Sequence, residues 1–348
     1  MTGPGALVET IAQPRGRIRD QPSAPLLGCL CSANSFPRFP LKIHLDCMMH
    51  PASLPQPECV RPPKGCRAPV RPHHTRMSED HRLTSERFPR SSHYHPDWIQ
   101  ASASGGANSL WLTEWLTEAM QLQPGMRVLD LGCGRAASSI FLRREFSVQV
   151  WATDLWFNAS ENLQRIRDAG VEDGVFPIHA DARALPFATD FFDAIVSIDS
   201  FIYYGTDDHY LNYLARFVKP GGRIGIAQVG LRHEMESPVP AHLREWWSQE
   251  QLWSFHSADW WRRHWGRTGI LDIEAADMLP DGWRRWLEWL RLVAPDNARE
   301  IGTLEADSGS HLGYIRVVGR RRAEAQLPEP IASVPGQYLK KPLLRGSD

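Results

Sequence analysis

The residues of this 348-residue chain whose spacing suggests chemistry begin with Gly132 and Gly134, in the segment VLDLGCGRAASSI (128–140). Paired glycines let the backbone approach a ligand closely, and the free N–H groups of a helix that starts there can face it. As a bare pattern, Gly132-x-Gly134-x-x-Ala137 also fits a dinucleotide fingerprint, so the glycines alone do not choose a ligand. The acids around them narrow the choice. Asp130 stands two residues before the first glycine, where a carboxylate repels a pyrophosphate and suits a ligand carrying an ammonium and a sulfonium. Asp154 lies 20 residues after Gly134, where an acid can take both hydroxyls of a ribose. Asp181 follows a third apolar run, positioned to meet an adenine exocyclic amine. Any one of these Asp residues serves equally as a helix cap or turn residue. Three at successive strand ends form a specific constellation.

The elements that must hold these residues follow from the pattern of apolar runs. MRVLDL (126–131) reads as a buried strand and RAASSIFLRREF (135–146) as a helix. VQVWATD (148–154), VFPIHA (175–180), FFDAIVSID (191–199) and RIGIAQV (223–229) read as further strands. Helices are expected at SENLQRIRDAG (160–170) and DDHYLNYLARFV (207–218), with KPGG (219–222) as a turn. An earlier helix, NSLWLTEWLTEAM, has Asn108 as its N-cap and ends at Pro124-Gly125. ILDIEAADM (270–278) and HLGYIRVVG (311–319) suit a closing antiparallel pair. Short apolar strands alternating with helices imply a parallel sheet covered on both faces, with its ligand at the carboxyl ends of the strands.

The sequence closely resembles the class I S-adenosylmethionine-dependent methyltransferases. VLDLGCGRAASSIFL, ATDL, HADARALPFATDFFDAIVSIDSF and VKPGGRIGI carry the resemblance, which extends over roughly 88–320. It implies an α/β, Rossmann-like, seven-stranded and mostly parallel sheet with helices on both faces. It also implies S-adenosylmethionine as cofactor. By resemblance, Asp130, Gly132 and Gly134 line the methionine moiety, and Asp154 binds the ribose with Leu155 beside the adenine. Asp181 and the backbone of Ala182 then read the adenine edge, and the Ser197 carbonyl meets the methionine amino group. Ala136 departs from the pattern, which often has a third glycine there. The wording SIDSFIYYG resembles the small-molecule branch and the branch near cyclopropane-fatty-acid synthases, and the Asn-Pro-Pro-Tyr signature of nucleobase amino methylases is missing. The implied activity is methyl transfer to an O, N or C atom of a small molecule. The alternatives are a cyclopropane-synthase-like lipid enzyme, an NAD-dependent oxidoreductase and a non-catalytic cofactor-binding protein.

The acceptor site is less clearly marked, because methyl transfer needs alignment and desolvation more than a base. Asp199, Tyr203 and Tyr204 follow the fourth strand and are the candidate catalytic residues, Asp199 as a base or orienting group. A turn cap is the competing role for Asp199. Tyr94 is a candidate cover for the cofactor or a plain packing residue, and His233 and His256 flank the first insertion. Nine of the fourteen Trp fall between 230 and 310, in expected insertions at about 230–268 and 279–310. They suit a helical cap that lines a pocket, or simple helix packing.

Composition bounds the rest. A net charge of −1 argues against a general nucleic-acid binder, and no apolar run is long enough to span a membrane. A cytoplasmic location is expected. Residues 1–76 hold 13 of the 27 prolines, five of the six cysteines and ten Lys/Arg against four Asp/Glu. Without apolar periodicity or a CxxC pair, this leader reads as disordered and metal-free. A basic, acid-poor leader suits a transit peptide, and the favoured reading is an extension ahead of a native start at Met77. The methyltransferase domain is then 77–320, followed by a frayed tail at 321–348. No metal site is expected anywhere.

Overall fold

The computed structural model describes residues 83–249 and 254–327. The expected leader lies outside these residues, as does the tail beyond 327. Seven strands form one sheet: β1 (Arg127–Leu131), β2 (Gln149–Asp154), β3 (Val175–His179), β4 (Phe192–Ile198), β5 (Val218–Leu231), β6 (Leu271–Met278) and β7 (Leu312–Arg321). Their order is β3-β2-β1-β4-β5-β7-β6. The first five are parallel, and β7 runs antiparallel between β5 and β6. This is the Rossmann-like α/β sheet that the alternating pattern predicts. The reversal of strand order at β1 and β4 makes the crevice at their carboxyl ends the natural ligand site.

Successive strand residues point to opposite faces, so each strand feeds two cores. On one face Val128, Val150, Val196 and Val229 meet α2 (Ser109–Met120), α3 (Ala137–Phe146) and α8 (Gly282–Val293). On the other Leu129, Leu131, Ile195 and Ile226 meet α5 (Tyr210–Leu214) and α7 (Ala258–Gly266). The remaining helices are α1 (Pro96–Ala101), α4 (Ala159–Asp168), α6 (Arg244–Gln249) and α9 (Ala298–Asp307). Asn108 caps α2, its carbonyl oxygen accepting from the amides of Leu110 and Trp111.

The Trp-bearing insertions supply layers to this sandwich. Trp261 and Trp265 of α7 are fully buried on one face, and Trp286 and Trp289 of α8 are buried on the other. Each such side chain removes roughly 150–250 Å² from water, or about 4–6 kcal/mol of transfer free energy. Two local expectations change. The helix expected at 207–218 shortens to α5, and KPGG is absorbed into β5 as an irregularity. Val218 pairs with Phe192 and Arg223 with Ala194, so the residues between them leave the ladder.

Candidate functional site

The loop after β1 is pinned at both ends. The amides of Gly132 and Cys133 donate to the Thr153 carbonyl at 2.8 and 3.1 Å, which ties it to the end of β2. The Asn162 side chain donates to the Gly134 carbonyl at 2.9 Å. Both glycines are required twice over. Their φ angles are +76° and +55°, and a Cβ would meet Ser200 Oγ at 1.9 Å from Gly132 and Ser104 Oγ at 2.3 Å from Gly134. Ala136 takes the left-handed conformation ahead of α3 and gives no side-chain cap. Ser104 Oγ instead accepts from the Arg135 amide at 3.0 Å, so residues just before α2 lie across this turn.

Asp130 is completely buried. Its Oδ2 accepts from the hydroxyls of Ser138 and Ser139, each at 2.6 Å, while its buried Oδ1 has no partner. Burial outweighs the two hydroxyls and pushes this carboxyl up to about 6. Holding it ionised at neutral pH costs the fold about 3 kcal/mol, a departure typical of functional positions. Asp154 is also buried, which raises its pKa. Its Oδ2 accepts from the Gly134 amide at 2.8 Å, and its Oδ1 from Trp156 and Phe157 at 2.7 and 3.0 Å. Asp181 stands on the next strand end, and the Arg183 guanidinium holds its carboxyl below the usual range. The Ala182 carbonyl accepts from Tyr210 Oη at 2.9 Å.

Ser197 is buried, and Tyr204 Oη lies 3.2 Å from its Oγ, 3.0 Å from Ser200 Oγ and 3.4 Å from the Leu131 carbonyl. Tyr204 therefore closes the β4 side of the glycine loop. Leu155, Trp156 and Tyr203 stand about half exposed beside it, Trp156 meeting Tyr203 edge-on with centroids 5.3 Å apart. Asp199 is differently employed. Its Oδ2 accepts from the Ala107 amide at 2.8 Å and its Oδ1 from the Val229 amide at 3.1 Å. A Cβ on Gly106 would meet that Oδ2 at 1.9 Å. Asp199 thus clasps the segment ahead of α2 against β5.

The other candidates lie away from the loop. Tyr94 packs on Trp98 and Phe141 and donates to Glu145, His233 is exposed, and His256 pairs with Glu234 and stacks on Trp260. Sequence reasoning missed Ser138, Ser139, Asn162, Ser104, Ser200 and Trp156. The two serines on the first turn of α3 were findable, since that turn faces back toward β1. Ser104 and Ser200 reach the loop only through tertiary folding.

Comparison with known proteins identifies the kind of domain. Residues 128–222 match the family model described as "Methyltransferase domain". Over 147 residues the chain is 34% identical to Methyltransferase GfsG of Streptomyces halstedii, covering 42% of this chain and 52% of that protein. An O-methyltransferase of Pyrenophora dematioidea is 28% identical over 227 residues, covering 60% of this chain and 82% of its own length. Among solved structures, the geranyl diphosphate C-methyltransferase of Streptomyces coelicolor A3(2), in complex with Mg2+, geranyl diphosphate and S-adenosyl-L-homocysteine, has a TM-score of 0.50 at 22% identity. That match covers 60% of this chain and 76% of that one.

The chain carries a class I S-adenosylmethionine-dependent methyltransferase domain.

The site of this methyltransferase domain fits its cofactor on a structural observation. A buried carboxylate oxygen without a donor is costly, and a ligand bearing an ammonium and a sulfonium relieves it. Asp130 Oδ1 is such an oxygen, next to a loop that only glycines can build. Half-exposed Leu155 beside Asp154 suits the flat, aromatic end of the same molecule.

Proposed function

We propose that this protein transfers the methyl group of S-adenosylmethionine to an O, N or C atom of a small-molecule acceptor. The chain spans about half the length of the first curated relative it matches, so the whole protein's activity rests on this reading. The unpartnered, buried Asp130 beside the glycine loop supports it most strongly. S-adenosylmethionine supplies a methyl group on a sulfonium sulfur, already activated for in-line displacement.

In this reading Asp130, Gly132, Gly134 and the Ser197 carbonyl hold the methionine end. Asp154 takes the ribose hydroxyls, and Leu155, Asp181 and Ala182 border the adenine. The exposed edge of Trp156 and Tyr203 is the apolar approach for an acceptor. Tyr204 keeps β4 against the glycine loop, with a hydroxyl that burial holds protonated well above neutral pH. Asp199 is a positioning residue in this reading, because its oxygens tie the Ala107 amide ahead of α2 to the Val229 amide of β5. Its two bonds fix the segment that carries Ser104 over the loop, which orders the site and excludes water. Among the described residues no helix is long and apolar enough to cross a membrane.

The test is a transfer assay with methyl-labelled S-adenosylmethionine and the low-mass fraction of a cell extract. Label in a small product, matched by S-adenosylhomocysteine release, is the expected result. Label found only in protein or nucleic acid contradicts the small-molecule reading.

A further inference from the structure

Away from the glycine loop, three side chains that the sequence does not connect meet at one point. Asp307 ends α9, His311 begins the approach to β7, and His242 belongs to the loop that follows β5. The Asp307 side chain is fully buried. Its Oδ2 accepts from the amides of His311 and Leu312 at 3.0 and 2.9 Å, which fixes the carboxylate plane. Its Oδ1 faces both rings, 3.0 Å from His242 Nε2 and 2.9 Å from His311 Nδ1. The two imidazoles retain partial exposure, while the Asp307 side chain between them is covered. The remaining nitrogen of each ring has no protein partner among the described residues.

We propose that His242, Asp307 and His311 form a binding site for a divalent first-row metal ion of the zinc type. Two imidazoles and one carboxylate are the donor set such ions prefer, and three protein ligands leave a position for water. Ligands about 2.0–2.2 Å from a common ion stand roughly 2.9–3.5 Å apart. The two nitrogen-to-oxygen separations fall in that range. The two nitrogens, which lie within 4.8 Å of each other, reach it by rotation of the partly exposed rings toward the ion. Backbone amides that orient a ligating carboxylate through its second oxygen are the usual outer support of such a site. His242 and Asp307 lie 65 residues apart, on the two insertions that interrupt the sheet after β5 and after β6. A bound ion therefore staples one insertion to the other, and its effect on the molecule is stability. This inference is independent of the methyl-transfer reading.

The experiment uses the full chain, freed of metal with a chelator, titrated with zinc chloride by calorimetry and followed by thermal melting. Wild type is expected to take up zinc with micromolar or tighter affinity, and its melting temperature to rise by several degrees. His242→Ala and His311→Ala change partly exposed residues and are expected to fold. Each is expected to lose at least tenfold in zinc affinity together with the melting shift. Cobalt(II) replaces zinc as a spectroscopic probe, and its visible bands are expected to show nitrogen and oxygen ligation and to vanish in His242→Ala. No zinc-dependent shift in wild type overturns the proposal. So do unchanged affinity in both His variants and a thiolate charge-transfer band with cobalt, because this site contains no sulfur.

Discussion

The carboxyl ends of β1, β2 and β4 and the Trp-rich stretch from 241 to 310 are built on opposite principles. At the first, Asp130 is buried with an unpartnered oxygen, and Leu155, Trp156 and Tyr203 stand in solvent. Those three are the only large apolar side chains so exposed among the described residues. In the second region the aromatic side chains do the reverse. Trp261, Trp265, Trp286 and Trp289 are almost entirely buried, and they supply the layers on the two faces of the sheet. Large apolar side chains stay exposed at the first region and are buried in the second, where the indole N–H groups of Trp261, Trp265 and Trp289 also lack a partner. The difference also settles how to read aromatic richness. Concentration of Trp in the sequence marks the core here, and the one exposed Trp among the described residues, Trp156, stands beside the proposed site.

The sharpest way to break this contrast is to exchange the two effects. Trp261→Ala removes a fully buried ring and is expected to cost about 3–5 kcal/mol of stability. Denaturant unfolding measures it, and S-adenosylmethionine affinity at low temperature is expected to stay within about threefold of wild type. A large affinity loss with little destabilisation makes α7 part of the site instead.

Asp154→Ala is the complementary change. It removes a charged acceptor and is expected to weaken cofactor binding by about 2–3 kcal/mol. Calorimetry reads this directly, and a loss confined to stability contradicts the ribose assignment.

Asp130 sharpens the contrast through pH. Its carboxyl is raised to about 6 in the fold, so ionisation opposes folding, and apo stability falls as pH rises from about 4 through 6. A cationic ligand favours the ionised form, so cofactor affinity is expected to move the other way. It should drop about tenfold between pH 7 and pH 5. In Asp130→Asn that dependence is expected to flatten, and a wild-type affinity independent of pH over this range removes Asp130 from the cofactor's surroundings.

The smallest effect concerns Asp199. With both oxygens on backbone amides, Asp199→Asn keeps one acceptor and is expected to lower stability by about 1–2 kcal/mol. The turnover rate with a saturating acceptor is expected to stay within about threefold. A tenfold fall in kcat at unchanged melting temperature, with loss of the acidic limb of the pH profile, makes Asp199 a base after all.

Strands, their order of appearance and the glycine loop were legible because each depends on neighbours in sequence. Val128 to Ile140 carries its own strand, turn and helix start, and Asn108 caps α2 as its position implies. Partnerships that fold across the molecule were not legible. Asp199 meets Ala107 across 92 residues, and a turn-facing Asp gives no hint of that. His242, Asp307 and His311 lack metal-ligand spacing in the sequence, because one ligand comes from a different insertion. The shortened α5 has a similar cause. Phe217 turns from helical pattern to the start of a strand, its carbonyl accepting from the amides of Phe191 and Phe192.

The central claim is that the glycine loop and its acids hold S-adenosylmethionine. Titration of the full chain with S-adenosylmethionine, S-adenosylhomocysteine and NADH in parallel calorimetric runs tests it most directly. One site of micromolar affinity, shared competitively by the two sulfur compounds, with no heat from NADH, is the predicted result. Binding of NADH in place of S-adenosylmethionine contradicts the account.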